Sequence, residues 1–197
     1  MSNRLAMRGG QQAVTGVMRR YNSIGEDDVN AVAKATSSLP LSGFLGGRDR
    51  GGPLVQRLEE LWSNKFGVEH AIACNSATSG LLAACVAAGV GPGTEVVTTP
   101  YTMSATAAAP KLLGANIHFE DVDPDYFTMA KMAVAGKANI VTNLFGHPAD
   151  LAAMRKACDD YGEAILIEDN AQAPLAMENG KYAGTIGHIG VFSLNVH

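Results

Sequence analysis

Apolar positions along this chain change period repeatedly, from every third or fourth residue to short continuous runs, and each change marks a new element. From Glu26, the apolar side chains of Val29, Val32 and Ala33 recur at helical spacing, which predicts a short amphipathic helix after a polar, glycine-containing arm. Leu39 to Gly52 is rich in glycine and reads as a loop. Pro53 then opens a second helix to Phe66, with Leu54, Leu58, Leu61 and Trp62 along one face.

Beyond Phe66 the pattern alternates strand and helix. Short apolar runs predict strands at His70 to Cys74, Glu95 to Thr99, Ile117 to Val122, Asn139 to Leu144 and Ala164 to Glu168, with a further apolar strand through Val191. Helices are expected at Thr78 to Ala88, at Thr102 to Leu113 with Pro110 distorting its last turn, and at Leu151 to Tyr161. Strands separated by helices of about a dozen residues imply an α/β fold, a largely parallel sheet covered on both faces. Ligands of such sheets sit at the carboxyl ends of the strands.

Three strand exits carry candidate chemistry. Cys74-Asn75-Ser76-Ala77-Thr78-Ser79-Gly80 opens a helix with small and hydroxyl residues, which suits either an ordinary Ser/Thr cap or a phosphate held on free N–H groups. The stretch lacks the glycine pattern of a dinucleotide site or a P-loop. Glu168-Asp169-Asn170-Ala171-Gln172 places two acids at the end of an apolar strand, so an acid there either pairs with a heterocyclic cation or faces solvent as a cap. Val191-Phe192-Ser193 ends in a hydroxyl that adds a possible phosphate contact.

Composition narrows the picture. The 197 residues are 47% hydrophobic and 17% charged, enough for one globular core or for the larger domain of a two-domain protein. A net charge of -4 gives no reason to expect nucleic acid or an anionic membrane as partner. Cys74, Cys85 and Cys158 lack metal or disulfide spacing and read as small core residues in a reducing cytoplasm. No signal peptide or membrane-length apolar segment is evident.

Six ordered stretches together carry a resemblance: Asn75 to Ser79, Thr99 to Thr106, Phe119 to Pro124, Phe145 to Asp150, Ile167 to Ala173 and Phe192 to Leu194. With Leu5 to Gly10 and Leu41 to Gly43, they resemble the nucleotide-sugar aminotransferases of the DegT/StrS type, within the fold type I pyridoxal phosphate enzymes. The resemblance implies a three-layer α/β/α large domain over residues 26–197, an N-terminal arm over 1–25, and a C-terminal small domain that is absent. It implies pyridoxal 5'-phosphate as cofactor. Ala77, Thr78 and Ser193 would hold its phosphate, Asp169 would face the pyridine nitrogen, and Gln172 would contact the ring hydroxyl. Met103 falls where an aromatic ring usually stacks on the cofactor, and Asn170 where a small residue is usual; both are departures.

By the same alignment the Schiff-base lysine would immediately follow His197, so no catalytic residue is expected within the chain, which reads as truncated and unable to complete turnover. The seven lysines present read as surface residues, and His147 as either a substrate contact or a loop-stabilising residue. The implied parent is a cytoplasmic homodimer that moves an amino group from an amino acid such as glutamate to a keto-sugar or keto-cyclitol, in polysaccharide or antibiotic sugar biosynthesis. A sugar dehydratase on the same scaffold and a non-catalytic cofactor-binding or oligomerising fragment are the alternatives.

Overall fold

A computed structural model describes residues 6–12, 15–16, 23–38, 41, 51–132 and 136–195. These fall into two compact units, Met1–Ser42 and Gly43–Asn195. The first contains a 3-10 turn at Ala6–Arg8 and helix α1, Glu26–Ser38, whose start is tied by the Gly25 N–H donating to Asp28 at 2.8 Å. Most of the loop expected between Leu39 and Gly52 lies outside the described residues.

The second unit is built on a five-stranded sheet. Its strands are β1 (Glu95–Thr98), β2 (Asn116–Phe119), β3 (Ala138–Thr142), β4 (Ile165–Asp169) and, after a short hairpin of β5 (Met177–Glu178) and β6 (Lys181–Tyr182), β7 (Ile189–Val191). The order is β2-β1-β3-β4-β7 and every pairing is parallel. Helices α2 (Pro53–Phe66), α3 (Ala77–Ala87), α4 (Ala105–Leu112) and α5 (Leu151–Tyr161) complete the unit.

Alternation along each strand divides the core in two. Val96, Ile140 and Ile167 pack with Leu81 and Cys85 of α3 and Ala105 and Ala109 of α4. Their neighbours Val97, Val141 and Leu166 pack with Leu151, Met154 and Cys158 of α5. Helices therefore cover both faces, and the expected three-layer α/β/α arrangement with a parallel sheet is observed. The order in which strands are added reverses between β1 and β3, and in open parallel sheets ligands bind at the carboxyl edge of such a switch point.

Element boundaries follow local chemistry. Asp150 caps α5 by accepting from the Ala153 N–H at 3.1 Å, and Gly67 closes α2 in a left-handed conformation. Pro110 sits inside α4 and the last turn tightens, with the Leu113 N–H reaching the Pro110 carbonyl at 3.1 Å. The helix also begins at Ala105, three residues after the expected start.

Two expectations fail. His70 to Cys74 forms no strand: the Ala73 N–H donates to the Glu59 carboxylate at 2.9 Å instead of to a neighbouring strand, and Ile72 is 86% exposed. Cys74 is exposed too, while Cys85 and Cys158 are buried as expected. The β5–β6 hairpin was not anticipated, although its turn, Asn179-Gly180 with both residues at positive φ, is a strong hairpin signal.

Glu168 ties the last part of the sheet together. Fully buried on the α5 face of β4, its carboxylate accepts from the backbone N–H groups of Gly184, Ile186 and Gly187 and from the Asn143 amide. The 184–187 loop so held lies tight against β7, where a Cβ on Gly190 would overlap the Gly184 carbonyl. Replacing Glu168 with Ala strands four donors, three of them backbone N–H groups, so urea unfolding should show a loss of about 3 kcal/mol or more. A loss within about 0.5 kcal/mol, the size of a surface change, contradicts this role.

Candidate active site

Successive residues of a strand point to opposite faces, and this sorts the two acids at the end of β4. Glu168 turns to the α5 face, where its four donors satisfy it. Asp169 turns to the α4 face and is 4% exposed. Thr106, in the first turn of α4, donates its hydroxyl to Asp169 Oδ2 at 2.7 Å, and the Ala171 N–H reaches Oδ1 at 3.3 Å. Burial pushes the Asp169 carboxyl above its ordinary range, and these two hydrogen bonds only partly offset it. Among the described residues no cationic side chain pairs with it.

The phosphate-type motif occupies the start of α3. Ser76 is the cap, its Oγ accepting from the Ser79 N–H at 3.2 Å. Capping by Ser76 leaves Thr78 exposed, with no side-chain hydrogen bond among the described residues. Ala77 is half-buried against the core. Helix α3 crosses β7 closely, since a Cβ on Gly80 would stand 2.9 Å from Val191 Cγ1. Ser193 follows two residues after Val191, and its Oγ accepts from the Asn195 N–H at 3.1 Å, which leaves the hydroxyl proton free for an anion.

Gln172 and Met103 lie on loops that leave the same carboxyl edge, after β4 and before α4 respectively, and both are exposed. Asp169, Gln172, Ser193 and Met103 thus lie at or just beyond the carboxyl ends of sheet strands, while Ala77 and Thr78 open α3, whose first turn packs beside Val191 at the end of β7. His147 stacks on Tyr126, ring centroids 5.0 Å apart, within the turn that follows β3. Lys137 pairs with Glu163 at the opposite edge and Lys156 with Asp160 on α5, in line with a surface role. His197 lies outside the described residues.

Several residues at the site had no assigned role. The Thr102 and Thr106 hydroxyls meet at 3.0 Å, and the Thr142 hydroxyl donates to that of Thr102 at 3.2 Å. Asn143 donates to Asn170 at 3.0 Å, and the Asn170 amide donates to the Ala183 carbonyl at 3.1 Å. Asn170, an unusual residue for its position in the resemblance, is thereby a buried link between β3, β4 and the 183–187 segment. The Thr99–Thr106 stretch contains two of these residues, but spacing alone does not say which hydroxyls meet.

The DegT/DnrJ/EryC1/StrS aminotransferase family matches residues 26–196, and the chain belongs to it. A UDP-N-acetyl-3-dehydro-alpha-D-glucosamine 3-aminotransferase of Acidithiobacillus ferrooxidans is 38% identical over 133 residues, 64% of this chain and 36% of its own length. The crystal structure of the aminotransferase TlmJ from Streptoalloteichus hindustanus superposes with a TM-score of 0.76 at 30% identity, over 88% of this chain and 47% of that one. A GDP-4-keto-6-deoxymannose-3-dehydratase, ColD, is similar at a TM-score of 0.64 and 26% identity, over 70% of this chain and 38% of that one. The chain spans between about a third and a half of the length of these relatives.

Since its native carboxyl value is raised, Asp169 binds its proton more tightly in the folded chain than in the unfolded one. Its contribution to stability is complete below the ordinary value of 3.8 and is lost as pH rises through the elevated native value. The cofactor-free Asp169→Asn variant should therefore melt at or above wild type at neutral pH, with the gap closing on acidification. Thermal melts across pH check this; a variant that is less stable at neutral pH and gains on acidification contradicts it.

Proposed function

We propose that this chain is the cofactor-binding part of a pyridoxal phosphate-dependent aminotransferase, with residues 1–25 as an arm and 26–197 as the large domain. The amino acceptor is a nucleotide-linked keto-sugar or a keto-cyclitol, and the donor an amino acid such as glutamate. The observation that carries the reading is Asp169, a buried carboxylate with no cation beside it among the described residues, at the carboxyl edge of a parallel sheet. Such a group is costly unless a positive charge arrives, and a protonated ring nitrogen supplies one.

The donor set fits the cofactor at both ends. Asp169 holds the proton on the ring nitrogen, while Thr78, the Ala77 N–H at the start of α3, and Ser193 hold the phosphate. Gln172 would contact the ring hydroxyl, and Met103 would offer its thioether to the ring face. Pyridoxal phosphate, when bound, supplies an electron sink for breaking a carbon–hydrogen bond beside the amino nitrogen. Membership in a sugar-handling aminotransferase family, and the 38% identity to a UDP-sugar 3-aminotransferase, support the substrate class. A homodimer in the cytoplasm is part of the same proposal.

Dehydration on this scaffold is the second reading, supported by the likeness to ColD. The product separates the two, because an aminotransferase leaves nitrogen on the sugar and a dehydratase removes an oxygen.

Pyridoxamine 5'-phosphate tests the binding reading without any covalent bond to the chain. In calorimetric titrations Asp169→Ala should weaken its binding about tenfold or more, the scale of one charge-assisted hydrogen bond. Thr78→Val with Ser193→Ala should weaken it similarly while leaving phosphate-free pyridoxamine unaffected. Unchanged affinity in Asp169→Ala overturns the assignment.

A further inference from the structure

Three threonine hydroxyls form a continuous chain that ends on Asp169. Thr142 is the last residue of β3, Thr102 precedes α4, and Thr106 lies one helical turn after Thr102. The Thr142 hydroxyl donates to Thr102 at 3.2 Å, Thr102 and Thr106 meet at 3.0 Å, and Thr106 donates to Asp169 Oδ2 at 2.7 Å. Thr106 is fully buried, Thr142 nearly so and Thr102 half-buried, so water has little opportunity to replace these bonds.

A hydroxyl has one proton, and that fixes the direction of the chain. With the Thr106 proton committed to Asp169, Thr102 must donate to Thr106, and Thr142 to Thr102. All three protons then point toward the carboxylate, each bond polarising the next. If Asp169 takes up a proton on Oδ2, Thr106 must accept instead of donate, and the chain loses its shared direction. Asp169 also lies by the first turn of α4, whose positive end favours the charged carboxylate. No charged side chain among the described residues contributes to its proton affinity, and Glu168 faces the other side of the sheet.

We infer that Thr142, Thr102 and Thr106 act as a one-way hydroxyl relay whose function is to keep Asp169 ionised toward the cofactor's ring nitrogen. These are positioning residues, and the inference rests on the proposed role of Asp169. Thr106 acts directly, and Thr102 and Thr142 act through it. The relay opposes the desolvation of the buried acid before any ligand arrives, so the site is already charged when the cofactor binds.

The test measures the Asp169 titration midpoint in the cofactor-free 197-residue chain by carbon-13 NMR of its carboxyl carbon, assigned by its loss in Asp169→Asn. Thr106→Val should raise the midpoint by about one pH unit, the worth of one hydrogen bond to a charged group. Thr102→Val should raise it by less and Thr142→Val by less again, while Thr106→Ser, which retains the hydroxyl, should restore wild-type behaviour. Pyridoxamine 5'-phosphate affinity should fall in Thr106→Val only at pH below the shifted midpoint. Midpoints unmoved by Thr102→Val and Thr142→Val overturn the relay, as does a loss of affinity that is equal at all pH. If the midpoints shift in this order but Asp169→Asn leaves pyridoxamine phosphate affinity unchanged, the relay stands and the ring-nitrogen role falls.

Discussion

The buried carboxylate of Glu168 is the contact on which the working edge of this molecule depends. A charge inside a core is tolerated only when hydrogen bonds replace its lost water. Here the backbone N–H groups of Gly184, Ile186 and Gly187 and the amide of Asn143 supply that replacement. One side chain therefore joins β4, the segment after β3 and the loop leading into β7. Glycine at 184 and 190 is needed because loop and strand approach too closely for a side chain, and residue 184 also has a positive φ of 89°. Once β7 is held in this way, the segment carrying Ser193 leaves the sheet level with Asp169, whose register partner is Val191.

Strand alternation gives the two neighbouring acids opposite tasks. Glu168 is fully satisfied within the protein and serves the fold. Among the described residues Asp169 is buried with two hydrogen bonds and no cation, so the folded chain bears a cost at that position. A site that costs stability until its ligand binds is a familiar exchange of stability for function. The threonine chain on the α4 face reduces that cost without removing it, because a full set of partners for Asp169 would leave nothing for a ligand to provide.

Much of this arrangement was legible in the residues. Apolar runs locate β1, β3 and β4 to within about two residues, and α5 has the expected bounds, Leu151–Tyr161. The acid at the end of β4 stands out because topology sends strand exits to one edge, and the hydroxyls at the start of α3 stand out as a helix-opening cluster even though no strand precedes them. What escaped were features made by distant contacts. Thr106 and Asp169 are 63 residues apart, and Thr142 and Thr102 are 40 apart, so no periodic pattern marks their meeting. The segment at His70 to Cys74 has strand-like composition, yet a strand needs a partner, and the Ala73 N–H is taken by Glu59. Even the meaning of Glu168 was hidden, since sequence shows an acid at a strand end and not the loop that folds over it.

The most direct test of the central claim reads the protonation of the ring nitrogen itself. Pyridoxamine 5'-phosphate labelled with nitrogen-15 in the ring, bound to the wild-type chain, should show the shift of a protonated nitrogen well above the pH at which the free compound loses that proton. The same ligand on Asp169→Asn should show an unprotonated ring nitrogen at neutral pH. A wild-type complex whose ring nitrogen titrates as it does in free solution would contradict the account.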